Sequence, residues 1–183
     1  MNWTLDDAHS SVTFSVRHMM VTTVRGDMKI RSLDLAFDPD RPEASNVRVT
    51  LDAASINTGN AGRDQHLRSE DFLQAETHPT IDFVSSRIVV RDDRSGEIHG
   101  DLSIRGVTRP VVLHASFAGL VADMQGGDRA AFSASTTIDR EDFGLTWNVA
   151  LEQGGVLVSR DVRIEMEIAV VSAAAEDESE AAA

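Results

Sequence analysis

The chain contains no cysteine. That excludes a disulfide scaffold and a thiolate metal site, and it leaves the redox compartment open. Lysine occurs once, at Lys29, so sixteen of the seventeen basic residues are arginine and no P-loop lysine motif can be written. Apolar runs fall short of the roughly 18 to 20 residues of a membrane-spanning helix, and the N-terminus lacks the basic, apolar and small-residue sections of a secretory signal. Cytoplasmic is the expected location, with a periplasmic or secreted one only if the sequence is truncated. Positive charge is also scarce, the formal net charge being -13 at pH 7. This argues against nucleic acid or an anionic membrane face as the main partner, and no stable membrane insertion is expected.

Catalytic signatures are equally sparse. The six histidines, His9, His18, His66, His78, His99 and His114, are dispersed without an H-x-H or H-E-x-x-H unit, so no metal is assigned. A G-x-S-x-G turn is missing too. The pairing of His66 with Asp64 or Asp71 could form in space, but such pairs are common on solvated helices. No catalytic residue and no cofactor is assigned, and the chain is read as a non-enzyme.

What is present is alternation. Val12, Phe14 and Val16 interleave with Ser11, Thr13, Ser15 and Arg17, and Val162, Ile164, Met166, Ile168 and Val170 with Arg163, Glu165 and Glu167. A period of two marks strands with one face buried and one wet. Turn signals such as Asp38-Pro-Asp-Arg-Pro42, Asp92-Asp-Arg-Ser-Gly96, Met124-Gln-Gly-Gly-Asp128 and Gln153-Gly-Gly155 divide the runs. The division gives about eight strands, near residues 2–17, 22–38, 46–53, 80–91, 96–105, 110–121, 129–138 and 156–170. Within the second, apolar parity changes between Met28, Ile30 and Leu33, Leu35, Phe37, which predicts a bulge near Arg31-Ser32. Long strands joined by short hairpins fit an all-β, eight-stranded antiparallel up-and-down barrel, whose closure removes unpaired edges. The expected domain spans residues 1–171, followed by a disordered acidic and alanine tail over 172–183.

One segment breaks the pattern. Between strands 3 and 4, residues 60–68 read as a short helix, and Ser69 as the N-cap of a second turn carrying Phe72 and Leu73. An eight-stranded barrel is either filled by its own side chains or holds one small ligand, and alternation does not choose between them. Met19, Met20, Met28, Met124 and Met166 would suit an adaptable lining as well as simple gap filling.

Several strings then coincide. Trp3 to His18 reads W-T-L-D-x-x-H-S-S-V-x-F-S-V-R-H; Ser55 to Leu73 carries Thr58-Gly59, Arg63, Asp64, His66 and Arg68; Arg105-Gly-Val-Thr-Arg-Pro110 and Asp142-Phe-Gly-Leu-Thr-Trp-Asn148 follow. In this order the chain resembles the YceI-like family of polyisoprenoid-binding, lipocalin-like barrels over almost its whole length. The resemblance implies a long-chain isoprenoid lipid, a polyprenyl pyrophosphate or an isoprenoid quinone, held lengthwise in the barrel by a carrier, storage or sequestration protein. The lining candidates are Val12, Phe14, Val16, Met28, Ile30, Phe72, Phe83, Phe117, Leu145 and Trp147, each of which also fits ordinary core. For a head group at the barrel mouth the candidates are His18, Arg63, His66 and Arg68, which also fit structural roles. Two other readings stand beside this one: a lipid isomerase or cyclase using His18 or Asp82, and a filled barrel acting through its surface, for instance as a homodimer.

Overall fold

The alternating runs are strands. The computed structural model describes residues 3–123, 126–152 and 154–172. Within them β1 (Trp3–Leu5), β2 (Ser11–His18), β3 (Thr22–Met28), β4 (Ile30–Ala36), β5 (Asn46–Asp52), β6 (Thr80–Val90), β7 (Ser95–Ile104), β8 (Val107–Ala122), β9 (Asp128–Asp139) and β10 (Val158–Ser172) form one antiparallel sheet. Its order, β3-β2-β10-β9-β8-β7-β6-β5-β4, is a curled meander.

Ten strands stand where eight are expected because two long strands each break once. β1 and β2 are halves of the first, separated by a 3-10 turn at Asp7–His9. β3 and β4 are halves of the second, separated only by Lys29. β3 pairs with β2 while β4 pairs with β5, so one bent strand supplies both edges of the sheet and the wall curls shut. The register of β4 against β5 shifts between Ile30 and Ser32, the bulge that the parity change demands.

Two seams complete the closure. At the upper end the free edge of β3 is covered by the chain that follows β5: Asp27 and Asn57 exchange backbone hydrogen bonds of 2.9 and 3.1 Å, and the Lys29 amide donates to Ser55 Oγ at 2.8 Å. At the lower end β1 lies against β4, and among the described residues no ladder joins them. Side chains do so instead. The Trp3 indole N–H donates to the Phe37 carbonyl at 3.1 Å, and Phe37 meets the Phe132 ring edge-on at 5.0 Å. Ala130 and Val170 are fully buried beneath them.

The helical insert lies between β5 and β6 as expected, with one correction. α1 (Ala61–Arg68) starts at an Asn60 N-cap whose Oδ1 accepts from the Arg63 amide at 3.0 Å. Beyond α1 the insert is turns rather than helix, and Ser69 opens the first of them: its hydroxyl accepts from the Asp71 amide at 3.4 Å and its carbonyl from the Phe72 amide at 3.1 Å. Its amide and hydroxyl both bond the His66 carbonyl, so it ends α1, and residues 70–73 form turns that carry Phe72 and Leu73 inward. β10 runs to Ser172, one residue past the expected domain boundary. The remainder of the acidic tail, 173–183, lies outside the described residues, as do Met124, Gln125 and Gln153 at two of the turns.

If side chains rather than a ladder close the lower seam, Trp3→Ala should destabilise the fold by about 3–5 kcal/mol, with Trp3→Phe costing distinctly less. Urea unfolding of the three proteins checks this.

Candidate functional site: an apolar cavity along the barrel axis

Alternation places every second strand residue inside the wall, and these side chains do not fill it. A cavity of about 380 Å³ runs along the axis, within the ~300–1,000 Å³ of small-molecule sites. Its wall is almost entirely carbon. At the upper end it is closed by Ile56, Phe72, Leu73, Phe143 and Leu145, all buried in one cluster. The loop residues of its wall that stand exposed, Pro39, Asp92, Asp93 and Arg94, lie at the lower end, between the β4–β5 connection and the β6–β7 turn. This lower end is the open one.

Two glycines shape the wall. A Cβ on Gly26 would lie 2.5 Å from the Phe14 ring, and one on Gly100 2.5 Å from the Phe83 ring. Gly26 pairs directly with Phe14 across β3 and β2. Each phenyl ring therefore lies over the neighbouring strand, which leaves the axis clear.

Eight of the ten expected lining residues, Val12, Phe14, Val16, Met28, Phe72, Phe83, Phe117 and Leu145, stand in this wall. Ile30 and Trp147 do not. Ile30 sits at the bulge, where parity changes, and the wall there is carried on by Leu33, Leu35 and Phe37. Trp147 packs outside the closed end, its ring 4.7 Å from His66 and 5.4 Å from Phe72. Of the methionines, Met28 and Met166 line the cavity, Met19 and Met20 are exposed, and Met124 lies outside the described residues.

The expected head-group cluster is not at a mouth. None of His18, Arg63, His66 and Arg68 is among the described residues of the wall, and three of them serve the upper seam. Arg68 donates to the Ala54 and Ile56 carbonyls at 2.7 and 2.9 Å, and Arg63 to the Thr58 hydroxyl and carbonyl at 2.8 and 3.0 Å. His66 bonds Asp71 at 2.9 Å and packs on Phe72 and Trp147. His18 ends β2 opposite Thr22 and Val158. Asp82, the other candidate for lipid chemistry, accepts from Thr50 and Thr80, each at 2.7 Å, and is not in the cavity wall.

Two charged groups are buried: Asp64, which pairs with Thr58 rather than His66, and Arg140, which the alternation of the sequence does not mark. Asp64 Oδ1 accepts from the Thr58 amide at 2.8 Å and hydroxyl at 2.5 Å. The hydroxyl bond above all, then the amide and the nearby Arg68 and Arg63, hold its carboxyl below the usual aspartate range against the opposing effect of burial. Arg140 reaches the closed end of the cavity with only 4% of its surface exposed. It donates to the Ser159 carbonyl at 2.9 Å and the Trp147 carbonyl at 3.0 Å, and also to Leu145, so it ties the 144–157 loop over the barrel. Burial pulls its pKa below the ordinary value. Its position two residues before the Asp142-Phe-Gly string is the one sequence signal it carries.

Two outcomes follow. A carboxyl whose pKa is depressed on folding adds stability above its unfolded pKa of about 3.9 and loses it as the pH falls through the folded value. Wild-type stability should therefore drop more steeply than that of Asp64→Asn below about pH 4, as seen in urea unfolding across pH. Gly26→Ala should force the Phe14 ring into the cavity, cost about 1–3 kcal/mol and shrink the space for a ligand. Unfolding and long-chain lipid uptake measured on the same variant check both effects.

The family model that matches this chain is that of the YceI-like domain, over residues 3–170. A UPF0312 protein of Ectopseudomonas mendocina is 41% identical over 138 residues, which cover 75% of this chain and 72% of that one. A UPF0312 protein of Vibrio cholerae is 36% identical over a similar span, covering 75% and 73%. Among solved structures, the Campylobacter jejuni YceI protein superposes with a TM-score of 0.75 at 31% identity, covering 93% of this chain and 97% of that one. A polyisoprenoid-binding domain from Saccharophagus degradans, implicated in plant cell wall breakdown, shares the fold with a TM-score of 0.66 at 12% identity, covering 94% and 99%. Matched by the family model from residue 3 to 170, and by relatives and solved structures at 31–41% identity, the chain belongs to the YceI-like family.

Proposed function

We propose that this protein binds a long-chain isoprenoid lipid, with the tail lengthwise in the barrel, and acts as a carrier or storage protein rather than an enzyme. The observation that carries the reading is the carbon-lined cavity, closed above and open below, on a scaffold that also serves a polyisoprenoid-binding domain. At roughly 0.8 kcal/mol per buried methylene, ten such groups contribute about 8 kcal/mol before the cost of immobilising the chain. Micromolar affinity, about 8 kcal/mol net, therefore calls for more than ten such groups once that cost is met.

The head group would lie at the lower end, beside Asp92, Asp93 and Arg94, where two carboxylates against one guanidinium favour an uncharged quinone over a pyrophosphate. This moves it away from the helical insert, whose arginines are spent on carbonyls. The tail would run upward from there toward Leu145 and Arg140.

Ala134 tests the reading because it is a small residue in the wall, on β9, next to Met166 of β10. Ala134→Phe should fill the axis and lower uptake of a polyprenol or long-tail quinone by about tenfold or more while the barrel still folds. Uptake equal to wild type, in a variant whose circular dichroism is unchanged, would contradict binding inside the barrel.

A further inference from the structure

The turn between β2 and β3 has the wrong residues for its backbone. Met19 and Met20 adopt φ of 50° and 62°, and the Val21 amide closes the turn on the His18 carbonyl at 3.2 Å. A two-residue hairpin turn with both central residues left-handed favours Asn-Gly, since other side chains are strained there. Here it carries two methionines and then a valine, which are 47%, 62% and 74% exposed. Strain of this kind is retained where the side chains it presents have a use.

The apolar surface continues onto the neighbouring loop. The Met19 amide donates to the Leu157 carbonyl at 2.8 Å, and the Leu157 amide to the Val149 carbonyl at 2.9 Å. Val149 and Val156 there are 46% and 39% exposed. Five of the nine exposed large apolar residues among the described residues therefore share one rim of the barrel.

The neck of this tip is basic in a strongly acidic chain. Arg17 and Arg25 lie on the outward face of β2 and β3, and Arg17 donates to the Met20 carbonyl at 3.3 Å. The only acid on the hairpin, Asp27, lies at the far end of β3; beside β2, β10 presents the exposed Asp161 next to Arg160, and Glu152 is the acid in the neighbouring loop. An apolar tip above a basic collar matches the layering of a phospholipid surface, with acyl chains below phosphates. The cavity's closed end lies directly behind the tip, where its wall includes Val16 and Val158, the latter paired with His18.

We infer that this rim docks the protein on a phospholipid bilayer, a property separate from what the cavity holds. The test is flotation of the purified protein with phosphatidylcholine vesicles, comparing wild type with the double variant Met19→Asn/Met20→Gly. The variant should lose vesicle association by about tenfold or more, yet unfold at a higher urea concentration because its turn is relaxed. Polyprenol uptake from detergent solution should be unchanged, so failure of docking and failure of cavity binding give different results. Equal flotation of the two proteins, or none by wild type, would overturn the inference. So would a wild-type dimer that the variant converts to monomer, since the rim would then be a face for a second copy.

Discussion

An antiparallel sheet that curls must dispose of two edges, and in this protein both edges belong to one bent strand. β3 and β4 are continuous through Lys29, whose carbonyl accepts from the Asp52 amide and whose amide donates to Ser55. Above this point the free edge of β3 is covered by residues near Asn57; below it β1 packs against β4 through Trp3 and Phe37. Unpaired backbone groups in either place would be open to water or to other chains. The helical insert is best understood as the clamp of the upper seam. Arg68, Arg63 and the buried Asp64 hold residues 54–58 in position by six hydrogen bonds to Ala54, Ile56 and Thr58, while Thr58 itself links the last two.

Closure by seams explains the interior. Because the strands are long and the aromatic rings of Phe14 and Phe83 lie over glycines, the axis stays open along the barrel. Because the insert, Phe143 and Leu145 seal one end, a tail entering from the lower end meets carbon throughout, with Arg140 at the limit of the cavity. Chain-like apolar ligands suit such a space, since burial is non-directional and scales with length.

Much of this was legible in the sequence. Period-two runs gave the strands, and the parity change between Met28 and Leu33 located the bulge, because side chains on a strand must alternate. Asn60 marked the start of α1. What could not be read were partners far away in the chain. Arg63 and Arg68 look like free donors until the fold brings carbonyls of residues 54–58 to them. The breaks at Asp7–His9 and Lys29, which turn eight strands into ten, depend on which neighbour each half meets. Trp147 alternates like a wall residue, yet it packs outside the closed end because the 144–157 loop folds over the barrel under the hold of Arg140.

The most direct measurement is native mass spectrometry of the protein as purified, followed by organic extraction and identification of what is released. A single long-chain isoprenoid per barrel, lost on extraction and regained on adding the same lipid, is the expected result. A protein whose mass is that of the chain alone, and which takes up no polyprenol or long-tail quinone after extraction, would contradict the lipid-binding function.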